Sequence, residues 1–474
     1  VADELAFLSA AETAALVRER QASPTELVRV YLERIQRLNP SLNAYVTVCA
    51  DEALAQAREA EAMLARGEAE GPLFGVPVAI KDQFDTRGLL TTRGSRLFQD
   101  RVPDQDATVV ARMREAGTIL LGKLNLAELA LGGTRQPPAG VPRNPWDQDR
   151  IPGDSSSGSG IAVAARLCAA SLGEDTAGSG RTPASYCGIV GLRPTYGRVS
   201  RFGASSMCWH MDTPAPMTRT VEDCALVLGA IAGADPRDPF TSRRPVPDYT
   251  AGLRDPVRGI RIGIITELDE SDLLDPEVRS VLAEAVETLR GLGVDVREIS
   301  IPLALMAGPI FVGIGDTEAA SVWDEALRTR PELLDSATRT RLQAAALLPA
   351  SLYQRALKAR RLLREQMLAA LEEVDLLLSA TACFQPPLYG QDTAIFASSE
   401  DVRRRMHGRR SYVTGYPLAA LPAISVPCGF TSAGLPVGMQ LGGRAFDEET
   451  LLRVAYAYEQ ATPWHTRRPA MAEE

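Results

Sequence analysis

Two serine clusters set in glycine are the residues of this chain best supplied for chemistry. The first reads Pro152-Gly-Asp-Ser-Ser-Ser-Gly-Ser-Gly-Ile161 and the second Gly173-Glu-Asp-Thr-Ala-Gly-Ser-Gly-Arg181. Between them, Ile161 to Leu172 is apolar and alanine-rich, short enough for one buried helix, and a turn at each end would bring Ser155 and Ser179 to the same side. Upstream, Gly75-Val-Pro-Val-Ala-Ile-Lys-Asp82 reads as a buried strand that ends in an amine. A lysine behind Val78, Ala79 and Ile80 loses hydration of its charged form, and its pKa falls toward the range of a working base. Asp82 and Asp85 would oppose that fall if they point inward. The parts available are a nucleophilic hydroxyl, a second hydroxyl to relay its proton, and a neutral amine, Lys81, to receive it.

Other routes are poorly supplied. The three histidines, His210, His407 and His465, leave few ways to build a Ser-His-Asp triad. Neither His-Glu-x-x-His nor Cys-x-x-Cys occurs, and no phosphate loop ends in Lys-Ser/Thr, so neither a catalytic metal nor a cofactor is expected. A formal charge of −9 argues against nucleic acid and anionic membranes, which want a basic face. Arg403-Arg404-Arg405 and Arg409-Arg410 read as a solvated face or as structural pairs. Seven cysteines, an odd count without paired spacing, fit a reducing compartment. The opening Val1-Ala-Asp-Glu-Leu5 carries an acid pair where a signal peptide carries positive charge, and no later run approaches the ~18 apolar residues of a membrane span. The expectation is a cytoplasmic protein.

The elements that must position these residues follow in order. Ser9-Ala-Ala-Glu12 and Ser23-Pro24-Thr25-Glu26 are helix-start signals, each with a cap residue and a Glu three positions on. They predict helices over about 9–20 and 23–38, and a third runs from Asp51 to Arg66. From Leu73 short apolar strands alternate with helices, which argues for an α/β layer architecture. Pro137, Pro138, Pro142, Pro145 and Pro152 then impose a long loop, of a length that in compact proteins is usually functional. Further strands are expected at Ile260–Thr266, Val294–Ile299, Asp375–Ser379, Ala423–Val426 and Val437–Leu441, with 303–373 mostly helical. One domain over 1–474 is expected: N-terminal helices over about 9–66, a core over about 70–232, and a variable helical insertion over about 303–400 that shapes the pocket.

Taken together, Gly75-Val-Pro-Val-Ala-Ile-Lys-Asp82, Pro152-Gly-Asp-Ser-Ser-Ser-Gly-Ser159 and Gly173-Glu-Asp-Thr-Ala-Gly-Ser-Gly-Arg181 resemble, in order, the three core blocks of the amidase signature family. Ser155 lies 74 positions after Lys81 and Ser179 a further 24 after Ser155. Gly191-Leu-Arg-Pro-Thr195 and Gly434-Leu-Pro-Val-Gly-Met-Gln440 match as well, so the resemblance spans most of the chain. It implies a mixed central β-sheet covered by helices on both faces. It also implies that Ser179 attacks the scissile carbonyl, that Ser155, held in a cis peptide bond, shuttles the proton, and that Lys81 is the ultimate base and later the acid. The backbone N–H groups of Thr176, Ala177, Gly178 and Ser179 would meet the developing oxyanion, each donor being worth roughly a few kcal/mol. Ser156 and Arg181 would brace this loop.

The departures from the family's blocks are specific. Asp154 and Ser157 stand where the family has glycine, Glu174 replaces Thr, Ala177 replaces the first Gly of the oxyanion turn, and Gly180 replaces Ile. Asp154 is expected to be structural, exposed or in contact with the facing loop or the substrate. Cys208, Trp209 and His210 are candidates to line the acyl or leaving-group site, with a structural histidine as the alternative. Phe311, Phe384, Pro386-Pro387-Leu388-Tyr389 and Ile395-Phe396 would suit an aromatic or aliphatic group. The family's glutaminase subunit carries an acid seven positions before its Asn-Leu-Ala-Gly block to hold the substrate amine; here that block reads Pro417-Leu-Ala-Ala420 and the position is Arg410. The chain also ends at Glu474, without the further domain expected of a bifunctional allophanate hydrolase. The resemblance therefore implies a serine hydrolase of aryl or alkyl amides, extending to esters and carbamates (urethanes). Two alternatives stand: a glutaminase-type amidotransferase A subunit, and a catalytically weakened partner subunit. The partner expected is a small amide or carbamate, and a homodimer is left open.

Overall fold

In the computed structural model, residues 3–133, 137–390, 398–402 and 408–473 are described. The first helices start as their caps dictate. Ser9 Oγ accepts the Glu12 N–H at 3.0 Å while Glu12 Oε2 accepts the Ser9 N–H at 2.7 Å, and Ala10–Arg18 follows. Ser23 caps Pro24–Leu42 by accepting the Glu26 N–H at 3.2 Å. Its hydroxyl donates to Glu61 of the helix Ala50–Arg66, so this cap is also a tertiary tie.

Among the described residues eleven strands form one sheet: β1 Tyr45–Val48, β2 Pro77–Lys81, β3 Ile119–Leu124, β4 Ala170–Glu174, β5 Val190–Arg193, β6 Pro214–Thr218, β7 Arg261–Ile265, β8 Asp295–Ile299, β9 Leu376–Ala380, β10 Ala423–Phe430 and β11 Pro436–Gly442. Their order is β1-β3-β2-β4-β6-β5-β10-β11-β9-β7-β8. β2 runs parallel to both β3 and β4, and β7 parallel to both β8 and β9, whereas β10 pairs antiparallel with β5 and β11. The sheet is therefore mixed, as expected of an α/β fold. β2, β3 and β4 are buried along their whole length, which explains why they read as continuous apolar runs rather than alternating ones.

The segment between the serine clusters differs from the single helix expected. A helix covers only Ser157–Ala164, and the chain then turns and enters the sheet as β4. The turn is fixed by Arg166, whose φ is +60°, and by the buried guanidinium of Arg34, which donates to the carbonyls of Ala165 and Arg166 at 3.2 and 3.0 Å. Helix ends leave carbonyls without partners, and here a side chain 132 residues away supplies them. At the other end, a Cβ on Gly158 would lie 2.4 Å from the Ala44 carbonyl oxygen and 2.5 Å from Asn125 N. Only glycine lets the helix start press this closely on the neighbouring backbone.

Between 303 and 373 the chain is helical as expected, with Ser336–Ala346 and Ala350–Glu373 the longest pieces. Ile395, Phe396 and Arg403-Arg404-Arg405 lie outside the described residues. Among the described residues no helix is long and apolar enough to cross a membrane.

Candidate active site

Lys81 is the last residue of β2 and Glu174 the last of the adjacent parallel strand β4. The carboxyl ends of parallel strands are where open α/β sheets receive ligands. Lys81 is fully buried, and its Nζ lies 2.8 Å from Ser155 Oγ. The Asp154–Ser155 peptide is cis. The two serine loops are tied through the backbone, with the Ser156 N–H donating to the Ser179 carbonyl at 3.2 Å. Ser156 Oγ in turn donates to the Glu174 carbonyl at 3.0 Å and accepts the Glu174 N–H at 3.2 Å. Ser179 is half-buried on the wall of a cavity of about 770 Å³, and among the described residues its Oγ holds no hydrogen bond. Contacts from a nucleophile to its relay commonly tighten only once substrate is bound.

Asp175 organises the turn that carries Ser179. Its carboxylate accepts the N–H groups of Gly178, Gly180 and Arg181 at 2.8, 3.3 and 3.2 Å. The Arg181 guanidinium donates to both oxygens at 2.9 and 3.1 Å, and reaches on to Gln440 Oε1 and the Val413 carbonyl. Burial alone would raise the Asp175 carboxyl, but the charges of Arg181 and Arg193 with these N–H donors overrule it and hold it at about 2. Of the four expected oxyanion donors, one has its N–H engaged by this carboxylate. Gly178 directs its N–H into Asp175 and is absent from the cavity wall, whereas Thr176, Ala177 and Ser179 line it.

The electrostatics of the amine also differ from expectation. Asp82 is 3.1 Å from Lys123 and accepts from Thr92, and Asp85 is bound by Arg101, so neither faces Lys81. The carboxyl that does is Glu174, whose Oε2 is 3.7 Å from Nζ. Burial lowers the Lys81 amine well below an ordinary lysine, against the pull of Glu174, Asp175, Asp154 and Asp212. Burial likewise pushes Glu174 up, against the pull of Lys81. Thr176 Oγ1 stands between Glu174 Oε1 at 2.6 Å and Asp212 Oδ1 at 2.8 Å.

The remaining candidates sort by what they touch. Asp154 is exposed at the cavity rim, where its Oδ2 accepts the Gly133 N–H at 3.1 Å. Cys208, Trp209 and His210 do not line the cavity, though their neighbour Met207 does. Cys208 Sγ lies 3.0 Å from Glu318 Oε2, and His210 Nδ1 is hydrogen-bonded to Glu318 Oε1. Trp209, 53% exposed, stacks edge-on with Phe240 at 4.9 Å under the Arg201 guanidinium. Its aromatic partners draw it outward. Phe311 lines the cavity; Phe384 and 386–389 do not, because that stretch packs on the 142–151 loop through Arg150, Ile151 and Tyr389. Two further buried polar residues, Lys123 in β3 and Asn125 just after it, are scaffold: the first is bound to Phe84 O and Thr91, the second to the carbonyls of Asn43 and Gly140.

Sequence reasoning gave no role to Asp175, Asp212, Asp316 or Arg341. Asp175 had a visible signal, a carboxylate three residues before a glycine in the turn, while the others become neighbours of the site only through tertiary contact. On the cavity wall Arg341 is paired with Asp316, and Arg410 Nη1 lies 3.9 Å from the same carboxylate.

Known proteins resemble this chain over most of its length. The sequence profile of the amidase family matches residues 26–452. The glutamyl-tRNA(Gln) amidotransferase A subunit of Thermosynechococcus vestitus is 40% identical over 483 residues, covering 96% of this chain and 98% of that protein. Among solved structures, one described as a vestigial protein complex that reveals the evolutionary origins of an s-triazine catabolic enzyme superimposes with a TM-score of 0.88 at 30% identity, covering 96% of this chain and 98% of that one. A bacterial aryl acylamidase of the amidase signature family gives 0.87 at 26% identity, covering 97% of each.

Proposed function

The chain belongs to the amidase family, and we propose that it cleaves an amide C–N bond by passing the acyl group through Ser179. Ser179 Oγ bonds to the carbonyl carbon; its hydrogen moves to Ser155 Oγ as the Ser155 hydrogen moves to Lys81 Nζ. The negative charge gathers on the carbonyl oxygen, facing the N–H groups of Thr176, Ala177 and Ser179. As the C–N bond breaks, the departing nitrogen takes the hydrogen back from Lys81 through Ser155, and water repeats the sequence to release the acid. The observation that carries this reading is the fully buried amine 2.8 Å from the Ser155 hydroxyl, beside the turn that presents Ser179. A buried amine is a base because it is poorly solvated as a cation.

Two readings of the substrate have support. The relatives favour glutamine as an ammonia donor, with the chain acting as the A subunit of an amidotransferase and needing partner subunits. Arg410 favours the second, a free-standing hydrolase of aryl or alkyl amides that also takes esters and carbamates. A guanidinium on the cavity wall, with Arg341 beside it and one carboxylate between them, repels the ammonium group of glutamine, and an acid at that position is what the glutaminase subunits use. Purified protein should be assayed on glutamine, a p-nitroanilide and a p-nitrophenyl carbamate, beside S179A. Turnover of the nitroanilide lost in S179A supports the second reading, and ammonia from glutamine alone supports the first. Turnover that survives S179A overturns the nucleophile.

A further inference from the structure

Glu174 stands where the resembled family has threonine, and it brings a second ionisable group into the compartment of the base. Both side chains are shut away from solvent, Glu174 being 1% and Lys81 0% exposed. Glu174 Oε2 has no hydrogen bond among the described residues and lies 3.7 Å from Lys81 Nζ. Its other oxygen, Oε1, meets Thr176 Oγ1, which also meets Asp212. A hydroxyl carries one hydrogen and cannot donate to two carboxylates, so one of the two acids must bring its own. Asp212 already accepts the N–H groups of Met207 and Cys208 and the Ser206 hydroxyl, each at 2.9 Å, a set that favours its anion. Thr176 therefore donates to Asp212 and accepts from Glu174, which holds a proton on the carboxyl that faces the amine.

We propose that Glu174 is a positioning residue for the base: it keeps its own proton, on the oxygen turned to Thr176, and stands as a neutral acid beside a neutral amine, so that Lys81 takes up the hydrogen relayed from Ser179. This rests on the triad reading above. Two opposite charges shut away from water cost more solvation than the neutral pair. The other charges nearby have partners of their own. Asp175 is bound by Arg181 and flanked by Arg193, Asp212 by its donors, and Asp154 sits at the exposed rim. The proton count balances: the pair holds one proton at rest and two after Ser179 has attacked, and it returns one to the leaving nitrogen.

With Glu174 neutral, the lower inflection is the amine losing its proton under burial, and the upper one is the ionisation of Glu174, whose charge then makes the amine a stronger base; Gln or Thr keeps the first step and lacks the second. The test is kcat/KM against pH on a p-nitroanilide for wild type, E174Q and E174T, the last restoring the family's residue and serving if E174Q does not fold. Two ascending inflections are expected in the wild type, one for each proton of the pair. The variants should show one, displaced to lower pH by about one unit or more from the upper wild-type inflection. A single inflection in the wild type, or superimposable profiles for wild type and variant, overturns the proposal while S179A remains inactive. Turnover in S179A equal to wild type instead overturns the triad and this proposal with it.

Discussion

An amine in water at neutral pH is a cation and no base, and what changes that at Lys81 is the side chain's complete removal from solvent between β2 and the serine loop. Lys81→Ala removes the acceptor at the end of the relay while leaving the Ser179 turn, which Asp175 and Arg181 hold independently. The expected result is a fall in kcat of roughly 10²–10⁴-fold, the usual contribution of a general base, with KM little changed. Stopped assays on a p-nitroanilide would measure it, and wild-type turnover in Lys81→Ala would remove the amine from the mechanism. The direction with pH follows from the same burial. Because the amine is active only without its proton and is held below an ordinary lysine, the rate should rise with pH before bulk lysines titrate. At this scale the sequence was informative for a physical reason: a nucleophile, a relay and a base need fixed residue types at fixed separations, and Lys81, Ser155 and Ser179 carry them. Glu174 was visible as a departure but not as a neighbour of Lys81, since only the parallel pairing of β2 with β4 makes them adjacent.

The element on which the site depends most is the turn between β4 and the helix Arg181–Cys187, and it is built around one anion. Asp175 gathers three N–H groups and a guanidinium, all buried. Asp175→Asn would leave the Arg181 cation without its partner in the interior, a loss of about 3–5 kcal/mol by analogy with other broken buried pairs. A thermal melt should show it as a clear drop in the unfolding midpoint, accompanied by loss of turnover because Ser179 is no longer presented. The pH dependence has a definite sign. The folded Asp175 carboxyl lies at about 2, below its ordinary value, so its stabilising contribution is full above about pH 4 and is lost as the pH falls toward 2. Melts of wild type between pH 5 and 2 should therefore fall more steeply than those of a folded Asp175→Asn variant. Parallel curves would count against the carboxylate as the acid-sensitive group. The element just before this turn shows where sequence reading fails: Ile161–Leu172 is apolar throughout, and such a run fits a buried helix or a buried strand equally well. The decision is made from outside the segment, by Arg34 closing the helix at Ala165 and Arg166 and by β2 accepting β4 along its edge.

Across the whole molecule, strands from Tyr45 to Gly442 share one sheet, so residues remote in sequence build one wall: Ser155 and Ser179 from the core, Phe311, Arg341 and Arg410 from the later helices. In the first half β2 is readable as a short run buried throughout, while β4, equally buried, reads as part of a helix, and β1, only partly buried, offers no such run. The cavity is not readable, because its far wall comes from helices whose packing side no local pattern specifies. Trp209 shows the cost of judging by proximity: two residues from the cavity-lining Met207, it points to the surface because Phe240 and Arg201 hold it there. The cysteines show the opposite case, in which a count does constrain the molecule. All seven, Cys49, Cys168, Cys187, Cys208, Cys224, Cys383 and Cys428, are free and buried. Burial pushes the thiols up, Cys49 to about 11 and Cys168 to about 12, and a thiol that keeps its proton is a poor nucleophile. Native protein should therefore react slowly with a thiol reagent such as dithionitrobenzoate, releasing close to seven equivalents only after denaturation. Its melting midpoint should be the same with and without dithiothreitol, because the folded state has no cross-link to lose. A fast-reacting thiol in the native protein would place one of these seven at the surface, and a midpoint that drops with reductant would require a disulfide between two of them.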